Sequence, residues 1–193
     1  MSTRSQEVVL VRHGETEWSR AGKHTGRTDI PLTERGRQEA QALAVELRGR
    51  RFALVLTSPL ARAAETCRLA GLGDVAEPWE ELMEWDYGAY EGRETIDIRK
   101  ERPGWTLWGD GVPEGETIAQ VQARVDRVIA ELRSVAGDAA VFAHGHLLRV
   151  LAARWLGLEP AAGRLFALDP ATISILGYER EAPVVQMWNR RVP

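Results

Sequence analysis

The sequence predicts an α/β fold in three layers, with helices on both faces of a mostly parallel central sheet. Three observations carry that prediction. Short β-branched or apolar runs alternate with amphipathic helical segments, an order that favours a parallel sheet buried on both faces. The 193 residues suit one globular domain with a full hydrophobic core. No internal repeat or low-complexity linker divides the chain, so a single domain is expected over residues 1–193.

The elements follow in order. Residues 7–11 are mostly β-branched and are followed by His13-Gly14, which predicts a buried strand with Arg12 and His13 at its carboxyl end. Thr33 reads as a helix N-cap, with Glu34 in the first turn and Ala40, Leu43, Ala44 and Leu47 along one face. Residues 53–57 form the next apolar run. Ser58-Pro59 then predicts a helix start, Ser58 capping and Pro59 at the first helical position, so that Arg62 falls in the first turn. A short strand is expected near Val75. Residues 79–114, rich in Gly, Trp, Tyr and charge, show no sustained period and read as a cap-like insertion with short helical pieces. Ile118, Val121, Val125, Val128, Ile129 and Leu132 then form one helical stripe. Residues 139–143 are a further apolar strand, ending in His144-Gly145-His146 before a helix through Leu147, Val150, Leu151 and Trp155. Residues 172–178 and 184–188 read as a closing pair of strands, with Ala182-Pro183 in the turn.

Composition narrows the function. A content of 44% hydrophobic and 27% charged residues is that of a soluble globular protein, not of a disordered or fibrous one. The formal net charge of -3 gives no global attraction to nucleic acid or to an acidic membrane, so neither is expected as a partner and any anionic ligand needs a local cluster of cations. Cys67 is the only cysteine, which excludes an internal disulfide and a multi-thiolate metal site and fits a reducing cytoplasm. The apolar run at 8–11 ends in Arg12, too short for a signal peptide or a membrane span, so no export signal is expected.

In open α/β sheets, ligands gather outside the carboxyl ends of the strands. The tips here carry Arg12-His13, Ser58 leading into Arg62, and His144-Gly145. Two arginines and two histidines beside helix N-termini would make an anion site suited to phosphate. An imidazole in it is a competent nucleophile near neutral pH. Taken singly, these residues have ordinary readings: an Arg-His pair is commonly a surface turn, and Glu84 beside Glu80 and Glu81 reads as a solvated acid. His144 and His146 with His24 offer a metal-ligand reading, but no HExxH or carboxylate-rich motif accompanies them and no metal is expected.

Leu10-Val11-Arg12-His13-Gly14-Glu15-Thr16 with Trp18, then Thr25-Gly26 and Pro31-Leu32-Thr33, resembles the opening of the histidine phosphatase, or phosphoglycerate mutase-like, superfamily. Four further blocks are similar in the same order: Ser58-Pro59-Leu60-Ala61-Arg62-Ala63-Ala64-Glu65-Thr66; Leu82-Met83-Glu84 with Tyr87-Gly88 and Tyr90-Glu91-Gly92; Gly115-Glu116-Thr117; and His144-Gly145. The resemblance implies a phosphoglycerate mutase-like fold. It implies His13 as nucleophile, Arg12, Arg62 and His144 as ligands of the phosphoryl oxygens, Glu84 as proton donor, and a contact from the Gly145 amide. Ser19, His24, Thr25 and Gly26 would bind substrate. The implied partner is a small-molecule phosphate ester. No cofactor is implied, and a homodimer is left open.

The superfamily holds both phosphatases and mutases. Ser19 after Trp18, and Glu84-Trp85-Asp86-Tyr87-Gly88 in the third block, depart from the mutase pattern. Trp85 and Asp86 would remove positive charge where a glycerate carboxylate is held. The expectation is a phosphomonoester hydrolase acting through phosphohistidine on small phosphorylated metabolites, similar to a branch of acid phosphatases and sugar bisphosphatases. A cofactor-dependent phosphoglycerate mutase remains the alternative, with Arg93, Arg99 and Lys100 as substitute anion ligands. A phospho-ligand binding protein is the non-enzymatic one. Trp79, Trp85, Trp105 and Trp108 would either line the lid or anchor it to the core.

Overall fold

The computed structural model describes residues 6–192. Residues 1–5, part of the amino-terminal stretch read above for an export signal, and Pro193 lie outside the described residues. A six-stranded sheet runs in the order β3-β2-β4-β1-β5-β6, with β1 at Val8–Arg12, β2 at Leu54–Thr57, β3 at Glu77–Pro78, β4 at Ala139–Ala143, β5 at Thr172–Glu179 and β6 at Ala182–Arg191. The first four strands in that order are parallel and the last two pair antiparallel, so the expected mostly parallel α/β sheet is present.

Strand periodicity divides the core into two layers. Val8 and Leu10 of β1 and Val141 of β4 face α6 (Ile118–Ser134) and α7 (Gly145–Trp155), while Val9, Val11 and Phe142 face α2 (Glu34–Leu47) and α3 (Ala61–Leu69). Thr33 caps α2 by accepting from the Gly36 N–H at 3.0 Å, and Thr117 forms a capping box with Gln120 at the start of α6. The short helices α1 (Glu17–Arg20), α4 (Thr95–Glu101) and α5 (Leu107–Asp110) lie in the connections. Among the described residues, no helix is long and apolar enough to cross a membrane.

Residues 79–114 contain α4, α5 and the 3-10 turns Glu80–Leu82 and Gly88–Tyr90. Trp85 and Trp105 are buried in the cluster that holds α6 and α7, with Trp79 and Trp108 packed against it. These tryptophans anchor the segment to the core.

Three boundaries differ from the sequence reading. Helix α3 begins at Ala61 instead of Pro59, because the Asp29 carboxylate accepts from the Ala61 N–H at 3.0 and 3.1 Å and does the capping assigned to Ser58. Around Val75 the chain makes a 3-10 turn, Gly73–Val75, and the strand follows it at Glu77–Pro78. The last turn is at residues 180–181, where Arg180 has φ 55°, and Pro183 lies within β6, paired with Tyr178. That strand is the sheet edge, where a missing N–H breaks no ladder.

The β1 loop sits directly on the first turn of α2. A Cβ on Gly36 would lie 2.1 Å from the Glu15 carbonyl oxygen, and one on Gly14 would lie 2.3 Å from the Gly36 carbonyl oxygen. Both obstacles are backbone and cannot swing aside. Gly36→Ala is therefore expected to lower stability by about 1–3 kcal/mol, the range for overpacking. Unchanged midpoints in chemical denaturation would show that the loop can move away.

Candidate active site

Parallel pairing of β1 with β4 sets Arg12 opposite Ala143, so the next residues, His13 and His144, emerge side by side at the carboxyl edge of the sheet. Their ring centroids are 5.2 Å apart. The Arg62 guanidinium, fully buried on the first turn of α3, donates from Nε to His144 Nδ1 at 3.2 Å. Its other nitrogens donate to the carbonyls of Thr25, Gly26 and Thr28 at 3.2, 2.8 and 3.0 Å. The three predicted strand tips thus meet in one place.

The hydrogen bonds assign the tautomers. The Gly14 carbonyl can only accept, so His13 Nδ1, 2.8 Å away, carries the proton and Nε2 keeps a free lone pair. His144 Nδ1 accepts from Arg62, so its proton is on Nε2, which donates to Ser58 Oγ at 2.7 Å. Burial holds both imidazoles well below their ordinary pKa of 6.5, and the Arg62 charge adds to the effect in each. His13 is therefore a neutral imidazole, the form that can act as a nucleophile. The buried Gly14 N–H donates to Thr66 Oγ1 at 3.1 Å, and Thr66 in turn donates to the Arg62 carbonyl at 2.7 Å, which ties the His13 turn to α3.

Glu84 faces the same edge from the 79–114 segment. Its Oε1 accepts from the N–H groups of Trp85 and Leu147, both at 2.9 Å, and its Oε2 from the His146 N–H at 3.0 Å. Two of these donors belong to the first turn of α7, where unpaired amides and the helix dipole attract anions. The position of Glu84 is set from behind by Arg124. That side chain makes a bidentate pair with Glu116 at 2.8 and 2.9 Å and donates to the carbonyls of Glu81 and Met83 at 2.7 and 2.5 Å.

A cavity of about 240 Å³ opens over His13. Of the residues predicted for the site, Arg12, His13, Ser19, His24, Thr25, Glu84 and Gly145 line it. Arg62, His144 and Gly26 do not. Arg62 and His144 stand one layer behind the wall. Gly26 is packed where a Cβ would lie 2.4 Å from the Trp85 carbonyl oxygen, and it serves as an acceptor for Arg62. The Ser19 hydroxyl is engaged in a capping box with Thr16. Arg12 donates from Nη1 to the Leu168 carbonyl, and its Nε is buried without a protein partner among the described residues. Gly145 lets this guanidinium approach, since a Cβ there would stand 3.2 Å from its carbon.

The cavity also contains residues the sequence reading did not place there: Lys23, Tyr87, Thr95, His146, Arg149 and Leu168. His146 was read only as a candidate metal ligand. Its Nδ1 instead lies 2.6 Å from Tyr87 Oη, while His144 turns toward Ser58 and Arg62. Among the described residues, no group of three His, Cys, Asp or Glu is placed to hold a metal ion. Arg149 was findable, three residues beyond His146 on the same helix face. Thr95 and Leu168 had no signal in sequence.

Trp85 and Asp86 were expected to remove charge from a carboxylate site. The structure corrects that reason: Trp85 is fully buried with Nε1 donating to the Glu116 carbonyl at 2.8 Å, and Asp86 accepts from the Gly88 N–H at 2.9 Å. Neither lines the cavity.

Comparison with known proteins gives a consistent picture. A family model described as the histidine phosphatase superfamily (branch 1) matches residues 8–191. An acid phosphatase of Mycobacterium tuberculosis is 42% identical, covering 93% of this chain and 90% of its own length. Sedoheptulose 1,7-bisphosphatase of Saccharomyces cerevisiae is 38% identical, covering 82% and 70%. A probable phosphoglycerate mutase, GpmB, of Enterobacter sp. is 31% identical, covering 94% and 89%. The solved structure of open reading frame Rv3214 from Mycobacterium tuberculosis superposes with a TM-score of 0.93 at 38% identity, covering 98% of this chain and all 100% of that one.

Neutral, buried imidazoles make a pH prediction. His13 and His144 stay unprotonated in the folded protein below 6.5, whereas the unfolded chain takes up protons there. The unfolded state then binds more protons, so stability falls as pH drops below 6.5, by up to about 1.4 kcal/mol per pH unit for each ring. Denaturation midpoints at about pH 7.5 and about pH 5.5 should differ in that direction, and ring-proton NMR should show both imidazoles neutral at the lower value. Rings charged at that pH would contradict the assignment.

Proposed function

Since this chain belongs to the histidine phosphatase superfamily, we propose that it hydrolyses phosphomonoesters of small metabolites by passing the phosphoryl group through His13. The observation that carries this reading is the His13 ring. It is neutral, oriented by the Gly14 carbonyl, and presents its Nε2 lone pair to a cavity walled by cations. The cavity volume, about 240 Å³, lies below the 300–1,000 Å³ common for drug-sized ligands and suits a small polar ester.

In the first step Nε2 attacks phosphorus, the P–N bond forms and the ester P–O bond breaks. Glu84 acts as the general acid and gives a proton to the leaving oxygen. In the second step water attacks phosphorus, Glu84 takes the water proton, and the P–N bond breaks to release inorganic phosphate and neutral His13. The Nδ1–H bond to Gly14 holds the ring through both steps and supports the positive charge of the phosphorylated imidazole.

The transferring group spreads charge over its equatorial oxygens and needs fixed donors. Arg12 supplies one set, its Nε free of protein acceptors among the described residues. The Gly145 amide at the start of α7 supplies another. Arg62 and His144 act from behind the cavity wall, through their field and through exchange of the His144 bond to Ser58 for one to phosphate. Residues 79–114 form the cap that brings Glu84 to the leaving group. A cytoplasmic location belongs to the same reading, supported by the single cysteine, which is buried and free.

His13→Ala should lower hydrolysis of p-nitrophenyl phosphate by about a thousandfold or more. Retained turnover would remove His13 as nucleophile. Glu84→Gln should cost on the order of 100-fold or more with an alkyl phosphate, and much less with p-nitrophenyl phosphate, whose leaving group hardly needs a proton. Equal losses on the two substrates would take Glu84 out of the acid role.

A further inference from the structure

The guanidinium of Arg12 hangs on a single protein bond. Among the described residues its only hydrogen-bond acceptor is the Leu168 carbonyl, which receives Nη1, and its Nε is buried without a partner. Arg62, by contrast, has four acceptors. The place of Arg12 in the cavity therefore follows the tilt of one carbonyl. A peptide unit is planar, and no peptide bond among the described residues is cis, so the Leu168 C=O and the Asp169 N–H lie in one plane and point in opposite directions. Whatever holds the Asp169 N–H also orients the carbonyl that receives Arg12.

That N–H donates to Asn189 Oδ1 at 2.7 Å. Asn189 reaches it from β6 because the sheet is irregular there. Trp188 and Asn189 together stand opposite Ser174 of β5, between the pairs Ile173–Arg190 and Ile175–Met187, so β6 carries one residue more than its partner. Such a bulge re-aims side chains. Asn189 takes φ 55°, a left-handed conformation that asparagine tolerates better than most residues, and its N–H donates to the buried Ser174 Oγ at 3.0 Å. Both bulge side chains turn back to the same stretch of chain. Trp188 Nε1 donates to the Ala167 carbonyl at 2.5 Å, and Asn189 Nδ2 donates to Asp169 Oδ2 at 3.4 Å. The Ala171 N–H, donating to the His13 carbonyl at 3.0 Å, pins the far end of that stretch to the tip of β1. Ala171 itself has φ 51°, a strained value for alanine that the surrounding bonds sustain.

We propose that Asn189 is a positioning residue for the phosphoryl transfer: by fixing the Leu168–Asp169 peptide it aims the Arg12 guanidinium and leaves Nε free for a phosphoryl oxygen. The hydrogen bonds run in one direction, from Arg12 through the peptide to the Asn189 amide, so each polarises the next. The inference rests on the phosphatase reading above and adds to it a residue that lies outside the cavity lining.

The test compares kcat and KM for p-nitrophenyl phosphate, and inhibition by orthovanadate, in the wild type, Asn189→Gly, Arg191→Met, Arg12→Met and the double variant Arg12→Met/Asn189→Gly. Glycine keeps the left-handed backbone of the bulge and removes only the side chain. Asn189→Gly is expected to lower kcat/KM about tenfold and to weaken orthovanadate, a mimic of the transferring phosphoryl group, by a similar factor. In the Arg12→Met background the same substitution should cost less than about twofold, because no guanidinium remains to be aimed. Arg191→Met removes an exposed bond to the Asp169 carboxylate but leaves the peptide held, and should stay within about twofold of the wild type. A purely structural role for Asn189 would give the same factor in both backgrounds. That result, an Asn189→Gly enzyme within about twofold of the wild type, or an equal loss in Arg191→Met would each overturn the proposal. If Asn189→Gly cannot be obtained folded, Trp188→Phe, which frees the Ala167 carbonyl beside the same peptide, carries the comparison, with a loss of about threefold that disappears without Arg12. A wild type that does not hydrolyse p-nitrophenyl phosphate would instead remove the phosphatase reading itself.

Discussion

The buried guanidinium of Arg62 is the constraint around which the site is organised. A charge removed from water must find hydrogen-bond acceptors or the fold loses several kcal/mol. Here four acceptors are gathered for it: three carbonyls of the 25–28 loop and His144 Nδ1. Each acceptor pays back a structural consequence. The loop is drawn over the start of α3, where Asp29 caps the helix. Gly26 must be glycine to fit between Arg62 and the Trp85 carbonyl. His144 is forced into one tautomer, and the same positive charge adds to the burial that keeps His13 neutral.

A second buried arginine does for Glu84 what Arg62 does for the histidines. Arg124, on α6, binds Glu116 and two carbonyls of the 81–83 segment, the residues just before Glu84. The 79–114 segment is therefore fastened to the helical layer by polar bonds as well as by Trp85 and Trp105. The two arginines thus hold the segments that bring His13 and Glu84 to one cavity.

Much of this was legible before the fold was known. The strand tips and long helices followed from periodicity because side chains alternate along buried strands and recur every three to four residues on helices. The errors fell where a distant residue decides the local outcome. Ser58-Pro59 has the chemistry of a helix start, yet Asp29, 32 residues away, caps α3 two residues later. Pro183 looks like a turn residue, but an edge strand has no use for its missing N–H. The charge argument at Trp85 and Asp86 failed for the same reason, since sequence neighbours of Glu84 point into the core or back to their own backbone.

The sequence by itself determined the α/β class, the order of most elements and the place of His13 and His144 at strand tips, because those depend on periodicity and on blocks of adjacent residues. Tertiary structure alone decided that His13 is neutral, which of its nitrogens is free, that Arg62 and His144 stand behind the wall, and that Lys23 and Arg149 share the cavity. These depend on burial and on contacts between segments far apart in the chain, and such contacts exist only once the sheet has brought the segments together.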